Sequence, residues 1–157
     1  MKTPRPSHRW LIMFLLVLLT LSGCGGQGKD AYTVEDVETL LDAGAFSGEM
    51  EAVDGTIAAT IYGIDSSTVT EAACYMAINS SVSADEVSVF VLTDEAAAEA
   101  AEAACRLHID NQIASYATYR PDQVPKLENA VIQRLGATVL VAVGETDALE
   151  EAVSSLE

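Results

Sequence analysis

The run Glu86 to Leu92, Glu-Val-Ser-Val-Phe-Val-Leu, constrains the fold more than any other stretch of the chain. Its β-branched and aromatic residues make a strand. Thr93-Asp94 follows at once as an N-cap, and an Ala/Glu-rich helix runs from there to about Tyr119. The arrangement has an echo: Leu140-Val141-Ala142-Val143 is followed by Gly144-Glu145-Thr146-Asp147 and a final helix ending near Leu156. Each Thr-Asp junction closes a hairpin. Val69 to Ile78 turns at Asn79 to Ser83 into the first strand above, and about Asn129 to Arg134 turns at Leu135-Gly136 into Thr138 to Val143. The expected fold is α+β: a four-stranded antiparallel sheet made of two hairpins, with helices packed mainly on one face.

N-terminal helices precede the sheet. Thr33 caps the first, Glu35 and Asp36 sit in its first turn, Val34, Val37, Leu40 and Leu41 keep helical spacing, and Gly44 ends it. A short second helix runs from about Thr56 to Tyr62 and stops at Gly63. Phe46, Met50, Glu49, Glu51 and Asp54 read as a connection between the two. Arg120-Pro121 stops the long helix, because the residue before proline avoids helical geometry.

The first 23 residues stand apart from this pattern. Lys2, Arg5 and Arg9 make a basic start, and Trp10 to Leu21 is an apolar run too short for a permanent span, which needs roughly 20 residues. Leu21-Ser22-Gly23-Cys24 then reads as a lipobox, with cleavage between Gly23 and Cys24 and a lipid on Cys24. The expected organisation is a lipoprotein signal peptide over 1–23, a lipidated flexible tether over 24–31, and one extracytoplasmic α+β domain over 32–157. A tether this short spans only ~15 Å and holds the domain close to the membrane.

Removing the signal leaves 134 of the 157 residues, and they keep all 24 acidic residues but only five of the eight basic ones, a charge of −19. A surface of that sign repels nucleic acid and anionic headgroups, so nucleic-acid partners are excluded. With Cys24 taken by lipid, Cys74 and Cys105 form an even pair, open either to a bridge or to packing as two small hydrophobes.

Chemistry-bearing motifs are sparse. There is no Gly-x-Ser-x-Gly elbow, no His-Glu-x-x-His helix and no phosphate cradle. His108, on the long helix, is the one histidine beyond the signal and reads as a surface or helix-edge residue. Glu49, Glu51 and Asp54 suit a solvated acidic turn better than a calcium loop. Asp85-Glu86, two acids opening a buried strand, call for partners, and Ser83-x-x-Glu86 offers a capping-box-like one. No catalytic residue, metal ligand or cofactor is assigned. Tyr62, Tyr75 and Tyr119 could edge a groove. Arg120 and Lys126 form the one basic island, able to hold an anion or to pair with nearby carboxylates.

Tyr32-Thr33-Val34-Glu35-Asp36-Val37, Ile61-Tyr62-Gly63-Ile64-Asp65, Ala84-Asp85-Glu86-Val87, Tyr116-Ala117-Thr118-Tyr119 and the segment Val124 to Val131 carry a likeness across nearly the whole exported chain. By these the chain resembles domain-of-unknown-function family 4358, small lipoproteins found chiefly in gut Firmicutes. The resemblance implies a cell-envelope lipoprotein and transfers no catalytic residue. The expected function is a non-enzymatic, lipid-anchored module on the outer face of the cell membrane that binds an envelope protein, peptide or cell-wall component. Two alternatives stand beside it: an envelope enzyme using carboxylates or a metal around Glu49, Glu51, Asp54, Asp85 or Glu86, and a solute- or cation-capturing accessory of a transporter.

Overall fold

A computed structural model describes residues 29–156. The expected signal peptide, the expected cleavage between Gly23 and Cys24 and the expected lipid site Cys24 lie outside the described residues. Among those described, no helix is long and apolar enough to cross a membrane.

The order of elements is α1 (Glu35–Asp42), β1 (Met50–Ala52), α2 (Gly55–Tyr62), β2 (Val69–Ala77), β3 (Glu86–Leu92), α3 (Glu95–Tyr119), α4 (Val124–Glu128), β4 (Val131–Leu135), β5 (Thr138–Val143) and α5 (Thr146–Ser154). Helix boundaries follow local chemistry. Asp54 Oδ1 accepts the N–H groups of Thr56 and Ile57 at 2.9 and 3.2 Å to start α2, and Gly63 ends it in the left-handed region at φ 75°. Asp94 Oδ1 accepts from Ala97 N at 2.8 Å and opens α3. In α1 the expected cap is reversed: Thr33 gives its backbone N–H to Asp36 Oδ2 at 2.7 Å, and its hydroxyl is not the cap.

The five strands form one antiparallel sheet in the order β1-β2-β3-β5-β4. The two hairpins are present and join through β3 and β5. The expected four strands become five because Met50–Ala52, read as connection, pairs along β2 with Met50 opposite Ala77. Three residues are too few to show alternation, so this edge strand leaves no periodic trace.

The helices do not gather on one face. Phe90 and Leu92 of β3 face a core with Tyr62 of α2, Cys105, Ile109 and Tyr116 of α3, and Leu127 of α4. Val87 and Val89 face the other way, toward Val37 and Leu40 of α1 and Leu149 and Val153 of α5. The physical reason is legible in β5, Thr-Val-Leu-Val-Ala-Val, which is buried throughout. A continuous apolar run belongs to a strand covered on both sides, and alternation belongs to one with a wet face. The internal echo ends here as well. Helix α3 lies on one face and α5 on the other, and α5 has no side-chain cap at Glu145 where α3 has Asp94.

One glycine is fixed by close approach. A Cβ on Gly144 would sit 2.5 Å from the Ala45 carbonyl, where the chain leaving α1 crosses the β5–α5 junction and accepts Glu145 N–H at 2.7 Å.

Candidate functional site

Both acids that open β3 are buried, Asp85 at 2% and Glu86 at 4% exposure, and each found a partner far away in sequence. Asp85 Oδ2 accepts the backbone N–H groups of Ser47 and Gly48, both at 2.8 Å, and Oδ1 accepts from Lys126 Nζ at 2.8 Å. Lys126 also reaches Glu145 Oε1 at 2.7 Å and Ser47 Oγ at 2.7 Å. Four segments meet on this one ammonium: the chain before β1, the start of β3, α4, and the residue preceding α5. Burial alone would raise the Asp85 carboxyl, but the Lys126 ammonium and the Gly48 N–H outweigh it and hold it below the usual carboxylate range. Burial likewise works against the charge on Lys126, and its hydrogen bonds to Asp85 and Glu145 raise it above the ordinary lysine value. The Ser47 hydroxyl, 3.2 Å from Asp85 Oδ2, therefore sits beside a lysine whose charge these hydrogen bonds favour.

Glu86 turns the opposite way, into the core. Its Oε2 lies 3.2 Å from His108 Nε2, and its Oε1 has no hydrogen-bond partner among the described residues. The Tyr62 ring lies on His108 at 4.4 Å between centroids and meets Phe90 edge-on at 5.4 Å. Ser88 Oγ donates to the Tyr62 hydroxyl at 3.4 Å. Cys74 and Cys105 share this core as buried, unbridged thiols. Burial pushes Cys74 up to about 11 and Cys105 up to about 12, the latter aided by Glu86. Neither forms the thiolate that nucleophilic chemistry needs. The expected capping box is replaced: Ser83 Oγ accepts Asp85 N–H at 3.2 Å, which leaves Glu86 free to enter the core.

The three tyrosines expected to edge a groove are kept apart. Tyr62 is buried on the α2–α3 face. Tyr75, one residue along β2 from Cys74, faces the opposite layer, where it lines a depression of about 230 Å³ with Val34, Glu35, Glu38 and Glu71. Tyr119 is half exposed and stacks on Tyr116 at 5.0 Å. The basic island is used in pairing: Arg120 grips Asp122 through two hydrogen bonds of 2.8 and 2.6 Å, and Lys126 is occupied as described. Glu49, Glu51 and Asp54 do not converge, since Asp54 caps α2 and the two glutamates are exposed. No group of three or more metal-binding side chains occurs among the described residues.

The turn expected at Asn79 to Ser83, between β2 and β3, has surface features that its composition did not single out. Residues 78–84 carry no charge and expose Ile78 and Val82 at 55% and 57%. These two border a depression of about 260 Å³, lined also by Ser47, Gly48, Glu49 and Asn79. The loop is held by its neighbours. Tyr116 donates its hydroxyl to the Ser80 carbonyl, Arg120 Nη1 donates to the Ser81 carbonyl at 2.7 Å, and Ala84 N–H donates to Gln123 Oε1 at 3.2 Å. Ile57 and Ile61 are also exposed, one turn apart on α2. Scattered exposed aliphatics are ordinary. The loop differs in combining exposure with a concave neighbour and a locked backbone.

A family model described as "Domain of unknown function (DUF4358)" matches residues 42–144. That span takes in all five strands and α2 to α4, and leaves out α5 and all but the last residue of α1. No curated protein and no solved structure matches the chain.

Proposed function

The chain belongs to domain-of-unknown-function family 4358, a membership that brings no activity with it, and we propose that it is a lipid-anchored, non-enzymatic interaction module of the cell envelope. The lipobox Leu21-Ser22-Gly23-Cys24 supports the anchor. The observation that carries the interaction role is the 78–84 loop, which exposes Ile78 and Val82 on a backbone tied down by Tyr116, Arg120 and Gln123. A loop already fixed in one shape loses little entropy when a partner docks, so a small contact can be specific. The polar clusters serve other ends: Asp85–Lys126–Glu145 ties four segments together, and Glu86–His108 is sealed in the core.

The test places a photo-crosslinking residue at Val82, and separately at Leu107 on the outside of α3, in the lipidated protein on intact cells. One product specific to Val82, abolished by Ile78→Ser, is the expected result. Equal products from both positions would refute docking through the loop. Incorporation of a labelled fatty acid that Cys24→Ala abolishes tests the anchor independently.

A further inference from the structure

Every cation among the described residues is already spent inside the molecule. Lys29 pairs with Asp36, Arg106 and Arg134 with Glu102, Arg120 with Asp122, and Lys126 with Asp85 and Glu145. Arg106 and Arg134 are exposed on α3 and β4, and no cation lines the depression beside Ile78 and Val82. Glu49 is the one charged residue lining the depression beside Ile78 and Val82, and it is exposed and in no ion pair among the described residues. An aliphatic rim with a single carboxylate matches a side chain that has an aliphatic stem and a compact cationic end.

We infer that the depression takes a lysine side chain of a partner protein, its stem against Ile78 and Val82 and its ammonium at Glu49. This rests on the docking reading above and names what docks. The bilayer is the other occupant that exposed aliphatics suggest, and the placement of Asp30 and Tyr32, next to the expected tether, argues against it. Asp30 and Tyr32 lie by the β4–β5 turn: the Asp30 carbonyl is 3.3 Å from where a Cβ on Gly136 would be, and Tyr32 N–H donates to Thr138 Oγ1 at 2.9 Å. Thr138 pairs with Val91 at one end of the central ladder, and Glu86 pairs with Val143 at the other, where the 78–84 loop emerges. Five residues of strand, roughly 17 Å, separate the two ends. A tether entering at the first end carries the loop on the side away from the membrane.

The experiment follows isoleucine and valine methyl resonances of the lipidated protein in neutral micelles at physiological salt. Two probes are added in turn: N-acetyl-lysine methylamide, and N-acetyl-norleucine methylamide, which has the same four-carbon stem without the charge. The lysine probe is expected to shift the methyls of Ile78 and Val82 saturably and to leave those of Ile57 and Ile61 unmoved. Norleucine should bind about fivefold more weakly, the effect of one partly exposed ion pair. Glu49→Gln should abolish that difference, and Glu38→Gln should preserve it. The depression lined by Val34, Glu35, Glu38 and Glu71 is the internal control, because it carries three carboxylates. A shift at Val34 that equals those at Ile78 and Val82 would mean charge alone attracts the probe, and would overturn the inference. Equal binding of both probes at Ile78 and Val82 would overturn the lysine assignment and leave docking standing. No shift there with either probe would overturn both.

Discussion

The Tyr116 hydroxyl lies 2.6 Å from the carbonyl of Ser80 and 3.2 Å from that of Ser83, so one side chain from the long helix fixes both halves of an exposed loop. The ring itself is buried at 1% exposure, which anchors the hydroxyl against the loop with no freedom to drift.

Tyr116→Phe keeps the ring and removes the donor. The Ser80 carbonyl can turn to water, but that of buried Ser83 loses a partner, a cost of about 1–2 kcal/mol. Hydrogen–deuterium exchange should show faster exchange at Val82 and Ser83, whose N–H groups both donate to Asn79, with the central strands unchanged. Unaltered loop protection would mean the loop holds its own shape.

Asp85 and Lys126 form a pair in which both side chains are largely inaccessible. Lys126→Met strands a buried carboxylate and should cost about 3–5 kcal/mol in urea denaturation, whereas the double variant with Asp85→Leu should recover much of the loss. Additive losses would show that the pair is not coupled.

The same pair sets a pH dependence. The Asp85 carboxyl is lowered in the folded state, so its contribution is fully present above the ordinary carboxylate value and is lost as pH falls through the lowered one. Lys126 is raised, so its contribution is complete below the ordinary lysine value and is lost as pH rises through the raised one. Asp85→Asn should therefore flatten the acid limb of the stability profile more than Glu38→Gln does. Equal flattening by both would assign that limb to general charge repulsion.

His108→Leu removes the one partner of a carboxylate at 4% exposure and should destabilise by about 2–4 kcal/mol. Glu86→Gln keeps a group able to hydrogen-bond His108, so it should cost less. If Glu86→Gln proved the more harmful of the two, the carboxyl group itself would be what the core requires.

Thiol counting separates two features in one measurement. Cys74 and Cys105 are buried and raised to about 11 and about 12, so native protein should resist maleimide for hours. In concentrated urea, protein extracted from cells should release two thiols if Cys24 is lipidated. A third would mean that Cys24 carries no lipid, and fewer than two would reveal a bridge.

Local pattern recovered the central elements closely. Glu86–Leu92, Thr138–Val143 and the long helix ending at Tyr119 have the bounds that composition and junction residues indicate. It failed where information is not local. The partner of Asp85 is 41 positions away, and no spacing rule joins Asp85 to Lys126. The grouping of Tyr62 with Tyr75 failed because α2 packs on the sheet face that holds Cys74, while Tyr75 beside it faces the other layer, and no local pattern says which face of β2 that helix covers. The apolar run Val139 to Val143 in β5 also marks a strand covered on both faces, a signal that the expectation of helices mainly on one face did not use.

The placement of α1 and α5 on one sheet face has a consequence for the order in which the molecule is completed. Val37 and Leu40 come from the start of the domain, Leu149 and Val153 from its end, and they close the same layer. A chain made N-terminus first can assemble both hairpins and the α2–α4 side before α5 exists, with α1 covering only part of the second face. That layer is closed when α5 packs beside α1.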